Sequence, residues 1–174
     1  ESGTTNCLFS LWGASGTDVF TVGDAGTILH YNGLIWEPMS SGTTDSLRAV
    51  WGSAANDVFA VGGGKIVLHY DGNTWTPLLP GGGIYSSFMG IWGSSSTDVY
   101  VIGGTGGRGM DNFYDINHYD GYTWSCVKSG YVNNLFLWGI WGSSGADIFS
   151  VGDSGTILHY DGTAWLSMPC PAFK

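Results

Sequence analysis

A tandem repeat limits what this chain can become. The string Trp141 to Trp165, WGSSGADIFSVGDSGTILHYDGTAW, recurs from Trp12 to Trp36, from Trp51 to Trp75 and, stretched in its middle, from Trp92 to Trp124. Successive leading tryptophans stand 39, 41 and 49 residues apart. Self-similarity at a period near 40 residues specifies a repeat architecture, in which no unit buries its apolar faces alone. Turn glycine and histidine are seven residues apart in copy one (Gly23 to His30) and fifteen apart in copy three (Gly103 to His118). An eight-residue insertion therefore accounts for the long third copy.

Each copy holds four short apolar runs. In copy two they are Leu47–Trp51, Asp57–Val61, Ile66–Tyr70 and Thr74–Leu78. Runs of about five residues, rich in Val, Ile, Leu and aromatics and bounded by turn residues, read as strands and are too short for helices. Asn32-Gly33, Asp71-Gly72, Asp120-Gly121 and Asp161-Gly162 are hairpin signals. Four antiparallel strands per copy make a propeller blade, and radial repetition lets blades cover one another's faces. The expectation is an all-β, four-bladed β-propeller forming one domain over residues 1–174. Its blades fall at about 7–40, 46–80, 87–128 and 136–170.

Strict alternation along the first strand of each copy puts Leu8, Ser10 and Trp12 on one face, with Leu47, Ala49 and Trp51 equivalent to them. The other face then carries Phe9, Arg48, Met89 and Trp138, a position that differs in every copy. A position held constant by the repeat reads as structural; one that varies is free to bind something. The insertion, Gly104 to Asp115, adds Arg108, Asp111 and Tyr114 as candidates, because loops on a rigid scaffold are where binding usually resides. These seven residues are the expected ligand-binding set. The run Gly103–Gly109 is not a nucleotide motif, since no helix pattern follows it.

Asp18, Asp57, Asp98 and Asp147 recur before the second strand and are expected to accept backbone N–H bonds in turns. His30, His69, His118 and His159 each precede a tyrosine and read as structural hydrogen-bonding groups, the sharper alternative being a four-histidine metal ring near the axis. No metal site and no cofactor is expected. Asp111 and Asp115 could form a glycosidase-like pair, but no nucleophile elbow or other converging set accompanies them, so the chain reads as non-catalytic.

The net charge is −9, with Arg48, Arg108, Lys65, Lys128 and Lys174 the only cationic side chains. Nucleic-acid binding needs a basic surface, so that partner is not expected. No run of 18 apolar residues exists, so direct membrane insertion is not expected either. Glu1 is compatible with a mature end after signal cleavage.

Cys7 stands five residues before Trp12, where copy two has Ser46, and Cys170 stands five after Trp165, where copy one has Ser41. Ser41 and Ser46 flank one connection between copies, so Cys7 and Cys170 would flank the equivalent gap between the last blade and the first. A disulfide there would close a loop nearly as long as the chain, worth ~4–5 kcal/mol in the entropic model, and would imply an oxidising compartment. Cys126 is left over.

The string Gly-Thr-Ile-Leu-His-Tyr-Asp-Gly-x-x-Trp resembles the repeats of Asp-box (BNR-type) propellers and of photosystem II assembly factors of the hypothetical-chloroplast-frame type. It looks most like repeats of uncharacterised secreted bacterial propellers. The resemblance covers nearly the whole chain and implies a propeller. The Asp-box of this chain, Asp71-Gly72-Asn73-Thr74-Trp75, is one residue shorter than the family form. In that family it is a structural turn, which implies no catalytic role. Sialidases of similar build need several converging arginines, and this chain has two. The expected function is a secreted, non-catalytic protein-interaction or structural module on a bacterial cell surface, such as the globular part of a filament or adhesin. Its partner would be another protein or a further copy of itself. A lectin with one asymmetric rim site is the alternative, and a glycoside hydrolase the remote one.

Overall fold

The computed structural model describes residues 2–78, 87–105, 113–131 and 135–169. The chain is a four-bladed β-propeller, each sequence copy forming one four-stranded antiparallel sheet in simple up-and-down order. Blade 1 contains β1 (Leu8–Ser15), β2 (Asp18–Gly23), β3 (Ile28–Tyr31) and β4 (Trp36–Met39). Blade 2 contains β5 (Leu47–Ala54), β6 (Asp57–Gly62), β7 (Val67–Tyr70) and β8 (Trp75–Pro77). Blade 3 contains β9 (Ser87–Ser95), β10 (Asp98–Thr105), β11 (Phe113–Tyr119) and β12 (Trp124–Tyr131). Blade 4 contains β13 (Leu137–Ser144), β14 (Asp147–Gly152), β15 (Ile157–Tyr160) and β16 (Trp165–Ser167). The first strand of each blade is innermost: β1 packs against β5, β5 against β9, and β9 against β13.

A core lies between each pair of successive blades. Phe20, Val22 and Ile28 of blade 1 meet Leu47, Val50, Val58, Leu68 and Trp75 of blade 2. Phe59, Val61 and Val67 meet Phe88, Ile91, Val99 and Trp124 in the same way, and Tyr100, Ile102 and Ile116 meet Leu137, Ile148, Leu158 and Trp165. Alternation places half of every strand's side chains on each face, so each blade is apolar on both faces and needs a neighbour on both. The leading tryptophans lock the spacing. Trp12 lies on Gly52, Trp51 on Gly93 and Trp92 on Gly142, and a Cβ on these glycines would stand 2.8, 2.6 and 2.7 Å from the indole Cη2.

Strict alternation fails near the start of every inner strand, as it does again at its end. Leu8 pairs with Gly23 but Ser10 pairs with Val22, so Phe9 is the extra residue of a β-bulge. The same slip makes Arg48, Met89 and Trp138 bulged residues. Leu47 therefore shares its face with Val50, toward the preceding blade, whereas Ala49 packs toward the following one. The expected grouping of Leu47 with Ala49 and Trp51 is corrected accordingly: one extra residue moves everything before it to the opposite face.

The Asp-Gly hairpins also differ from a two-residue turn. Only the glycine has positive φ, at 94° for Gly72. The Asp71 carboxylate accepts the N–H groups of Asn73 (2.8 Å) and Thr74 (2.9 Å), and Asn32 does the same for Leu34 and Ile35 at 3.0 and 3.1 Å. The insertion of copy three is partly strand: β10 and β11 stay paired out to Thr105 and Phe113. Residues 106–112, which include Arg108 and Asp111, lie outside the described ones.

The ring has two unfinished ends. Among the described residues, β13 does not pack on β1 as the other inner strands pack on each other. Leu8 is 39% exposed where its counterpart Leu47 is fully buried, and Val151 is 47% exposed where Val22 is fully buried. Trp141 is 60% exposed, and a Cβ on Gly13 would have Asp18, Val19 and Ser15 of its own hairpin as its nearest contacts rather than an indole. Cys7 is exposed, and no disulfide joins described residues. Cys170, its expected partner, lies outside the described residues.

Candidate functional site

The four bulges create a row on one rim. A bulge re-aims a side chain that the ladder would otherwise hold in the sheet. Because equivalent strands begin at the same end of the propeller, Phe9, Arg48, Met89 and Trp138 emerge at one rim near the axis. Two neighbours in the row touch: the Arg48 guanidinium carbon lies 4.5 Å from the centre of the Phe9 ring, a cation–π contact between blades. Trp138 is 52% exposed. Its indole Nε1 donates to Asp153 Oδ1 at 2.7 Å, and its ring lies 5.6 Å from that of Phe136. Asp153 also accepts the backbone N–H of Phe136 through Oδ2 at 3.0 Å. The carboxylate thus fixes an aromatic side chain that would otherwise rotate freely.

The turns between second and third strands border this rim. The Asp24 N–H donates to the Cys7 carbonyl, Gly63 to Ser46 and Asp153 to Phe136, at 2.9, 2.9 and 3.0 Å. Gly104, at the base of the inserted segment, is so close to Phe136 that a Cβ would stand 3.2 Å from Cδ1. The base of the insertion, at Gly104, therefore lies beside Phe136, whose ring contacts Trp138. Two of its residues are not surface groups. Tyr114 is buried in the core between blades 3 and 4, where burial pushes its phenol pKa up. Asp115 is buried too. Extension of β11 into the insertion puts both inside the sheet, which removes Tyr114 from the expected binding set and Asp115 from any exposed carboxylate pair. Phe136 and Asp153 were not singled out by sequence. The adjacent aromatics Phe136 and Trp138 were the available signal.

The recurring aspartates and histidines find each other. His30 Nε2 lies 2.7 Å from Asp18 Oδ1, and His69–Asp57, His118–Asp98 and His159–Asp147 repeat that distance. In three blades the second carboxylate oxygen accepts a serine hydroxyl: Ser53 to Asp57, Ser94 to Asp98, and Ser143 to Asp147 at 2.5 Å. Blade 1 has Ala14 there. The acceptors' partners are therefore side chains, not the backbone N–H groups expected from the turn. A separation of twelve residues between Asp and His in three copies was the signal for this pairing. Each histidine also stacks on the ring of the second strand, Phe20, Phe59, Tyr100 or Phe149, at 4.2–4.5 Å. All four sit on the third strand of their own blade and do not converge at the axis.

This set has the residue types of a hydrolase triad in the wrong order. In a triad the histidine lies between serine and carboxylate and takes the hydroxyl proton. Here the carboxylate lies between the other two, so serine donates to an acceptor that cannot make it a nucleophile at neutral pH. The Ser143 hydroxyl, followed by His159, holds the Asp147 carboxyl below its ordinary range. Among the described residues no group of three or more His, Cys, Asp or Glu side chains is placed to hold a metal ion. Cys126 is exposed on β12.

No protein-family model matches the chain, and no curated protein matches it significantly. Solved structures do. The computationally designed Ika4 protein superposes with a TM-score of 0.68 at 16% identity, covering 91% of this chain and 93% of that one. YCF48 from Cyanidioschyzon merolae gives 0.59 at 12% identity over 95% of this chain and 72% of that one. U3-55K gives 0.68 at 13% identity over 95% of this chain, which spans 53% of the U3-55K chain. The resemblance to photosystem-assembly propellers thus has a counterpart in structure, whereas none of these matches is an Asp-box protein by name. At these identities the likenesses establish that the chain is a β-propeller, and that is the classification they carry.

Proposed function

We propose that this chain is a non-catalytic protein-interaction module whose binding surface is the bulged rim. The observation that carries the reading is the row Phe9, Arg48, Met89 and Trp138: one structural device, repeated in four blades, presents four different side chains on one edge. Aromatic and arginine side chains held rigid at a surface are the residue types that dominate protein–protein binding energy. Propeller chains also occur in assemblies named for protein partners, among them the mitotic checkpoint complex, at 18% identity to this chain and a TM-score of 0.65. The Ser–Asp–His order supports the absence of catalysis. The acidic surface and scarcity of lysine support a place outside a bacterial cell, as part of a surface filament or adhesin, and immunogold labelling of intact cells tests that location.

The experiment is selection of peptide ligands on the wild-type protein, followed by affinity measurement on variants. Trp138→Ala and Arg48→Ala should each weaken the selected ligands about tenfold or more. Ligands that bind both variants at wild-type affinity would move the site elsewhere. The fixed, half-exposed indole of Trp138 also favours a lectin as the second reading, because sugars stack on such faces. A glycan array probed with wild type and Trp138→Ala separates the two: glycan binding lost in the variant selects the lectin.

A further inference from the structure

The two unfinished ends of the propeller are the two halves of a contact that the chain makes three times within itself. On blade 4 the exposed end face carries Trp141, Phe149, Val151 and Ile157. These are the counterparts of Trp12, Phe20, Val22 and Ile28, which blade 1 buries against blade 2. On blade 1 the exposed end face carries Leu8, Leu11, Tyr31 and Trp36. These are the counterparts of Leu47, Val50, Tyr70 and Trp75, which receive blade 1.

The receiving face is already shaped. Tyr31 and Trp36 pair at 5.3 Å, the separation of Tyr70 and Trp75. In the formed interface Phe20 lies 5.5 Å from Tyr70 and 6.1 Å from Trp75. Gly13, at the place where Gly52, Gly93 and Gly142 each accept an indole, has none against it, while the indole of Trp141 stands free. Two smaller contacts tell the same story. A Cβ on Gly145 of blade 4 would meet the Asp98 carboxylate of blade 3, but one on its counterpart Gly16 would meet open space. A Cβ on Gly26 would meet the Thr43 carbonyl of the next connection, whereas one on its counterpart Gly155 would meet no described residue. Residues 2–5, Ser-Gly-Thr-Thr, repeat the connection Ser41-Gly42-Thr43-Thr44 that does the covering.

We propose that a second copy of this chain fills both ends. Blade 4 of each copy docks on blade 1 of the other, Trp141 seats on Gly13 of the partner copy, and two chains close one ring about a two-fold axis. The contact is head-to-tail, so each copy uses two different faces, and a closed pair leaves none exposed. The complementarity is continuous with the three internal interfaces, which is why the occupant is this chain rather than an unrelated partner. The inference is independent of the rim reading above, because Trp141 and Leu11 lie on end faces and Trp138 and Arg48 on the rim.

Light scattering on the untagged protein at tens of micromolar tests it. The expected mass is twice the 18.5 kDa of one chain. Trp141→Asp and Leu11→Asp, both at exposed positions, should each keep the circular dichroism of wild type and shift the mass toward one chain. An equal mixture of the two variants should recover the double mass in part, since it retains one intact contact between a wild-type blade 4 and a wild-type blade 1. A wild-type protein at the mass of one chain would overturn the proposal. So would an open-ended ladder of masses, or a double mass that survives both substitutions.

Discussion

The indole of Trp51 lies over Gly93 of the next blade so closely that a Cβ on the glycine would sit 2.6 Å from Cη2. Neither the ring nor the strand behind it can retreat, because Trp51 borders the core between blades 2 and 3. Gly93→Ala should therefore destabilise the protein by about 1–3 kcal/mol, the usual range for overpacking. For a chain of this size the melting temperature should fall by about 2–4 °C per kcal/mol. Gly13→Ala is the internal control: its nearest contacts lie in its own hairpin at 3.1 Å and beyond, so in a single chain its loss is the smaller. Measured in the Trp141→Asp background, where no partner indole reaches Gly13, equal losses would mean that the tryptophan does not set the blade spacing.

Asp57 holds two donors at once, His69 at 2.7 Å and the Ser53 hydroxyl. Asp57→Ala leaves both without their acceptor in a partly buried place, and a loss of about 2 kcal/mol is expected for removing a charged acceptor of this kind. Asp147 makes the same bonds at the open end of the propeller, where its side chain is 43% exposed against 18% for Asp57. In the single-chain Trp141→Asp background water can replace its role, so there Asp147→Ala should cost less than Asp57→Ala. Urea unfolding of the two variants measures the difference, and a larger loss at Asp147 would contradict the argument.

How much of this was legible in the sequence follows from what a repeat encodes. The blade number, the strand order and the inner position of the first strand were readable, because they rest on period, run length and turn residues. The bulge was not, because an alternation template has no signature for one extra residue. Variability marks Phe9, Arg48, Met89 and Trp138 in the sequence, but only the strand pairing shows that each is the extra residue of a bulge. The glycine-rich insertion has the composition of a loop and so places Tyr114 at the surface, whereas backbone pairing continues into it through Phe113 and buries Tyr114. The open ends were hidden for a different reason. Trp141 and Leu8 have the same sequence context as their covered counterparts, and only the ring geometry decides whether a neighbour reaches them.

Acid should weaken the protein through its outer hairpins. In Asp161 the Thr163 hydroxyl, then the backbone N–H groups of Ala164 and Thr163, hold the carboxyl down at about 2. Asp71 and Asp120 are lowered by the equivalent backbone bonds. A carboxylate lowered on folding contributes its stability above the unfolded pKa, near 4, and loses it as pH falls toward the folded value. Urea midpoints should therefore hold steady from pH 7 to about 5 and fall between about 4 and 2. Asp161→Asn removes one titration while keeping an acceptor oxygen, as Asn32 does in blade 1. It should flatten that fall. An unchanged slope in the variant would assign acid sensitivity to other groups.

Asn117 breaks the repeat inside the core. Its counterparts are Leu29, Leu68 and Leu158, all buried, and it pairs with Val101 just as Leu68 pairs with Ala60. Asn117 is fully buried, and among the described residues neither Nδ2 nor Oδ1 finds a hydrogen-bond partner. A buried amide without partners loses its hydration and gains nothing in exchange, a penalty of about 1–3 kcal/mol. Leucine has nearly the same volume and suits the apolar cluster of Phe59, Val61 and Val101 between blades 2 and 3. Asn117→Leu should therefore stabilise the protein, raising its melting temperature by several degrees at about 2–4 °C per kcal/mol. A lower melting temperature would mean that the amide is satisfied in solution and that blade 3 depends on it.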